Sequence, residues 1–121
     1  ELRVVFDTGS GHIVVPSTRC QEKACLTKNR YDPFRSATGH QVNLDGSLSA
    51  MLMGDSVTIG FGRGRVQGTL RNELVCLGPA PDPGGRDPGE GNATSEDHCV
   101  TSGIVTAFNM SSDPFENFTF D

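Results

Sequence analysis

The residues with the clearest capacity for chemistry are Asp7-Thr8-Gly9-Ser10-Gly11. A carboxylate stands there on a tight glycine turn, directly after the apolar run Leu2-Arg3-Val4-Val5-Phe6. Three uses fit that arrangement. Asp and Gly are ordinary turn residues, so the segment can be a plain strand-to-turn junction. An apolar strand running into Asp-x-Gly-[ST]-Gly can also form a phosphate loop, as in some ATPases. A carboxylate held by backbone and hydroxyl donors can, finally, work in acid–base hydrolysis if a second carboxylate shares its proton.

Cysteines and sequons point to a compartment. The four cysteines are Cys20, Cys25, Cys76 and Cys99. An even count in a short, loop-rich chain predicts two disulfides, with three possible pairings. Their spacing favours Cys20–Cys25 as a local loop and Cys76–Cys99 as a clip across a long one. The alternatives are free thiols or a zinc site. Zinc is disfavoured because Cys20-x4-Cys25 has no second close pair and His12, His40 and His98 are scattered. Three N-x-[ST] triplets mark candidate glycosylation sites at Asn92, Asn109 and Asn117. Asn92 sits in an evident loop and is the strongest candidate. Asn117 lies among Phe115, Phe118 and Phe120 and is expected to be buried. Disulfides and sequons together imply the secretory route, and so an extracellular, vacuolar or lysosomal location.

The elements that must position the turn read as strands. Runs at 2–6, 12–15, 41–44, 49–53, 56–61, 66–69, 73–77 and 99–108 are β-branched or alternate with period two. No helix-length 3.6-residue period occurs. Residues 78–98 are Gly-, Pro- and acid-rich, and they read as an inserted flexible loop whose base a Cys76–Cys99 bridge would close. Such closure is worth about 3 kcal/mol in the chain-entropy model. Gly 15 and Pro 7 in 121 residues support a turn-rich, all-β chain. The net charge of −5 speaks against a nucleic-acid partner. No stretch approaches the roughly 18 apolar residues of a membrane-spanning helix. Both ends fall inside apolar runs, so the chain is expected to be part of a longer polypeptide. Arg63, Arg65 and Arg71 are expected on a solvated face.

The downstream residues separate the three readings of the turn. Phe6-Asp-Thr-Gly-Ser10 is followed by Ile13-Val-Val-Pro-Ser17, by Cys20-x4-Cys25, then by Asn29-Arg-Tyr-Asp-Pro33 with Ser36-Ala-Thr38. Asp55-Ser-Val-Thr-Ile-Gly60 comes later in the same order. This series resembles the N-terminal lobe of the pepsin-like aspartic proteases, well over 2–77 and loosely over 99–121. The resemblance implies an all-β lobe of the double-psi barrel or sandwich type, here an incomplete one spanning 1–121. It implies an aspartic endopeptidase acting on peptide or protein substrates, without cofactor or metal. Asp7 would be one catalytic aspartate, supported by Thr8, Gly9 and Ser10. A second Asp-Thr/Ser-Gly, absent from these residues, would come from the C-terminal lobe of the same polypeptide.

Two departures from the family pattern occur together. Val14 stands where the family usually has Trp. The flap hairpin is represented by Leu44-Asp45-Gly46-Ser47, one residue short, with Leu44 in the place of a Tyr. In the family those Tyr and Trp side chains hydrogen-bond to each other. Losing both ends of a hydrogen bond is far less costly than losing one. The altered flap leaves room for a different reading, a non-catalytic relative kept as a binding or structural module. A retroviral-type homodimer is a third option, and the Cys loop and Val-Pro-Ser disfavour it.

Overall fold

Strand order in this chain follows from which apolar runs find a neighbour. The computed structural model describes residues 1–50, 54–78 and 98–121. Its elements are β1 (Ile13–Pro16), α1 (Lys23–Leu26), β2 (His40–Gln41), β3 (Ser56–Phe61), β4 (Gly64–Cys76), β5 (Cys99–Met110) and α2 (Ser112–Phe115). The described strands form one sheet in the order β1-β5-β4-β2, with β3 also paired to β4. The β1–β5 pair is parallel and the other pairs are antiparallel. Both helices are single turns, as the lack of a 3.6-residue period requires.

The pair β4–β5 is the backbone of the sheet. It runs in register from Val66↔Met110 to Cys76↔Cys99 with one bulge between Gln67 and Gly68. Sequence patterning predicts two strands at 66–69 and 73–77, but the chain forms one. The break in the pattern reflects a change of neighbour rather than a change of strand. The first half of β4 pairs with β3, and Arg71 and Asn72 pair with β2. Ile104, Val105, Thr106 and Ala107 are all buried, so this part of β5 is covered on both faces. Such a strand reads as a continuous run rather than an alternation. Thr106 and Thr69 face each other across the pair, and their buried hydroxyls lie 3.0 Å apart. Each therefore satisfies the other's hydrogen-bonding need.

The two predicted disulfides are present, Cys20–Cys25 and Cys76–Cys99. Cys20 and Cys25 have no exposed surface and join Ala24, Val66, Ala107, Met110 and Phe115 in the core cluster. Val14 and Phe61 pack against that cluster, and Phe61 meets Phe115 edge-on at 5.8 Å. The short Cys loop thus acts as core filler as well as a clip. Cys76–Cys99 closes the long antiparallel pair at its end. The insert expected at 78–98 lies outside the described residues except for Gly78 and His98.

Three expectations need correction. Residues 2–6 form no strand. Val4, Val5 and Phe6 are 49%, 56% and 79% exposed, and no described strand lies beside them. High β propensity cannot form a strand without a hydrogen-bonding neighbour. The run is held at one point, where Arg3 and Asp121 exchange hydrogen bonds. Ser49 and Ala50 are not strand either, and the remainder of 49–53 is outside the described residues. Arg71 is not on a solvated face: it donates to Gln41 Oε1 and to the carbonyls of Pro33 and Gly39.

Glu73 fastens the 31–39 loop to β4. Its carboxylate accepts hydrogen bonds from the hydroxyls of Tyr31 and Ser36, each at 2.5 Å, and from Thr38. The Leu74 N–H adds another at 2.8 Å. Burial opposes ionisation of Glu73, but these donors together outweigh it and hold the carboxyl below the usual range. Burial, reinforced by the neighbouring Glu73, pushes the Tyr31 hydroxyl up. The far side of the loop is tied to β1, through Tyr31 N–H to Pro16 O and Thr18 N–H to Tyr31 O.

Two outcomes follow from this packing. A Cβ at Gly68 would sit 2.6 Å from Val105 Cγ1 and 2.8 Å from Thr106 O. Gly68→Ala should therefore cost about 1–3 kcal/mol, read as a lowered urea midpoint, because backbone cannot step aside cheaply. A neutral midpoint shift would show that β5 is not packed as described. For Glu73 the folded carboxyl is depressed, so its contribution is present above the unfolded value of about 4.3 and is lost as pH falls through the lower folded value. Glu73→Gln should cost about 1–3 kcal/mol at neutral pH. It should also flatten the loss of stability below about pH 4 that the parent shows. Equal acid slopes for parent and variant would refute the role assigned to Glu73.

Candidate active site

Asp7 sits on a two-residue turn that leads, by way of Ser10-Gly11-His12, into β1. Its Oδ1 accepts the backbone N–H of Gly9 at 2.9 Å. This is the Asx-type closure that Asp favours, and it fixes the carboxylate against its own turn. A side chain at Gly9 would stand 3.2 Å from that oxygen. Asp7, Thr8 and Gly9 are exposed and Ser10 is half-buried. The carboxylate is therefore presented outward, oriented by backbone. Pairing of Ile13–Pro16 with Ile104–Ala107 anchors the strand that follows.

The second predicted group, Leu44–Ser47, forms the tip of a hairpin. Val42 and Leu48 bridge antiparallel, Asn43 N–H donates to Ser47 O, and Gly46 N–H donates to Asn43 O. Gly46 has φ +82°, a conformation open to glycine at little cost. Asp45 Oδ1 accepts both the hydroxyl and the N–H of Ser47, at 2.6 and 2.9 Å. The Ser47 hydroxyl, then its N–H, holds the Asp45 carboxyl below its usual value. Leu44 N–H donates to Asp55 Oδ2, which ties the tip to the segment entering β3. The Leu44 side chain is 64% exposed.

No hydrogen bond or ion pair among the described residues joins the Asp7 turn to this hairpin. A cavity of about 410 Å³ lies beside the hairpin, lined by Arg19, Phe34, His40, Leu48 and Arg71 among others. None of residues 7–10 lines it. Val14 packs inward on the core while Leu44 faces solvent. The one buried side-chain polar atom without a partner among the described residues is Arg71 Nε.

Sequence reasoning did not single out Glu73, which lies within a run read only as strand. Tyr31, Ser36 and Thr38, which reach it, entered the sequence analysis only as part of the family-like series. Asn109 is half-buried in β5, and Asn117 is exposed on a turn. Asn92 lies outside the described residues. Among the described residues no group of three or more His, Cys, Asp or Glu could hold a metal ion. No described helix is long and apolar enough to cross a membrane.

The Asp7 turn lies within the segment that comparisons with known proteins match. The family model for eukaryotic aspartyl protease matches residues 1–84. Chymosin of Callithrix jacchus is 40% identical over 83 residues, covering 69% of this chain and 19% of that protein. Pregnancy-associated glycoprotein 2 of Sus scrofa is 35% identical over 78 residues, covering 64% and 16%. Pepsin A of Canis lupus familiaris is 34% identical over 82 residues, covering 68% and 18%. The match thus spans less than a fifth of the length of these relatives. By the family model, matched over more than half its length, the chain belongs to the eukaryotic, pepsin-like aspartyl protease family.

Proposed function

We propose that this chain supplies one half of a two-aspartate peptidase site, with Asp7 as its catalytic residue. The observation that carries the reading is the Asp7 carboxylate, exposed and held by Gly9 N–H, within the family-matched segment. Two carboxylates close together share one proton because both cannot readily ionise. The ionised member takes a proton from water. The protonated member donates to the carbonyl oxygen of the scissile peptide as the water oxygen bonds to the carbonyl carbon. A proton then passed from the dyad to the peptide nitrogen lets the C–N bond break and the amine leave. Asp7 is one member. Its partner comes from a second Asp-Thr/Ser-Gly in a C-terminal lobe of the same polypeptide, which makes residues 1–121 part of an N-terminal lobe. Thr8 and Ser10 place hydroxyl donors around the dyad, and Gly9 keeps space beside the carboxylate. Leu44–Ser47 serves as the flap over a peptide or protein substrate. The two disulfides and the sequons support an oxidising, secretory setting, with delivery outside the cell or to a vacuole or lysosome.

A second reading is a protease fold retained as a binding module. The exposed Leu44 at the hairpin tip favours it, since a hydrocarbon there offers a partner surface without a polar latch.

Cleavage of a peptide library by the two-lobed polypeptide separates the readings. Statine-type inhibition and a bell-shaped pH profile are expected, with Asp7→Asn lowering kcat/KM by about 10³-fold or more. Unchanged cleavage in Asp7→Asn, or none in the parent at any pH, rejects the catalytic reading.

A further inference from the structure

The fold separates two sequons that look alike in sequence. Asn109 lies in β5, opposite Gln67, directly beside the bulge in the β4–β5 pair. It is half-buried, and its Nδ2 donates to Glu22 Oε1 at 3.4 Å. The middle residue of its triplet, Met110, is part of the core. The hydroxyl residue, Ser111, accepts from Arg65 N–H at 3.0 Å and donates to Asp113 O at 2.8 Å. The Asn109 amide nitrogen, the Met110 side chain and the Ser111 hydroxyl are thus each engaged by the fold.

Asn117 is the opposite case. It follows the single turn α2, and both Asn117 and Thr119 are exposed. Neither side chain makes a hydrogen bond with a described residue. The backbone around them is nevertheless held. Lys28 Nζ donates to the carbonyls of Phe118 and Phe120, at 2.9 and 2.5 Å. Buried Asp121 accepts from Asn29 and from Arg3 N–H. Phe115 is buried, and Phe118 meets it edge-on at 5.8 Å. The three phenylalanines that suggested burial of Asn117 therefore turn toward one another, leaving the asparagine on the surface.

We propose that Asn117 is an acceptor for an N-linked oligosaccharide and that Asn109 is not. The donor is a lipid-pyrophosphate-linked oligosaccharide, and the catalyst is the cell's oligosaccharyl transferase. Asn117 Nδ2 forms the new bond to the anomeric carbon. The bond from that carbon to pyrophosphate oxygen breaks, and the lipid pyrophosphate leaves with the electron pair. One amide proton passes to a base of the transferase, and nothing is oxidised or reduced. A glycan there extends from an exposed turn, the setting expected of an occupied sequon. At Asn109 the same addition would displace Glu22 and crowd the edge of a paired strand.

The test is translation of the full chain behind a cleavable signal sequence in the presence of microsomes. An Asn92→Gln background removes the third triplet. Expected is one glycan per chain, removed by N-glycan amidase. Asn117→Gln or Thr119→Ala abolishes the mass shift, Thr119→Ser keeps it, and Asn109→Gln leaves it unchanged. Amidase treatment in heavy-oxygen water should place the label on residue 117. A chain that carries no glycan, or whose label falls on residue 109, overturns the proposal.

Discussion

Pairing of β4 with β5 is the constraint from which the other placements follow. Eleven registered positions, one bulge and a terminal disulfide hold the two strands together. Each cross-strand pair contributes only about 0.2–1 kcal/mol, so the pairing is strong through length. At its centre, Gly68 lets the β5 backbone come close and Thr69 meets Thr106 in a buried hydroxyl pair. β5 then offers its free edge to β1, and β1 is the strand that leaves the Asp7 turn. β4 offers its other edge to β3 and β2, and β2 leads into the hairpin with Leu44 at its tip. Both halves of the proposed site thus hang from one strand pair, on opposite sides of it.

Polar contacts complete what the sheet leaves open. The 31–39 loop has few apolar residues to bury, so it is fastened through hydroxyls. Tyr31, Ser36 and Thr38 converge on Glu73, while Arg71 ties the same loop through Gly39 O and Pro33 O. A carboxylate with that many donors is well satisfied while ionised, and an acid medium removes its charge. The fold thus uses a carboxylate as a structural fastener, apart from the catalytic role proposed for Asp7. The two carboxylates differ in setting: Asp7 is exposed and held by one N–H, whereas Glu73 is buried among four donors.

The Cys20–Cys25 loop shows how one feature can have two roles. Its spacing reads as a local clip. In the structure both cysteines are wholly buried and pack with Val66, Ala107, Met110 and Phe115. The neighbouring Val14 packs against the same cluster.

Local chemistry was legible in the sequence wherever it depended on near neighbours. The Asp7 turn, the 13–16 strand, the 56–61 strand, the tight hairpin at 44–47 and both cysteine pairings needed only residue type and spacing. Turns and short strands are governed by φ preference and period-two burial, which act over a few residues. The tertiary structure alone decided the rest. It left 2–6 without a partner despite its β-branched residues. It joined 66–69 and 73–77 into one strand by giving each half a different neighbour. It tied the half-buried Arg71 to Gln41, Pro33 and Gly39 and gathered three hydroxyls on Glu73 from about forty residues away. It turned Phe115 and Phe118 toward each other and so exposed Asn117. Except for the Phe115–Phe118 contact, the outcome in these cases depends on a partner distant in sequence, and a single chain read locally carries no record of which distant residue that partner is.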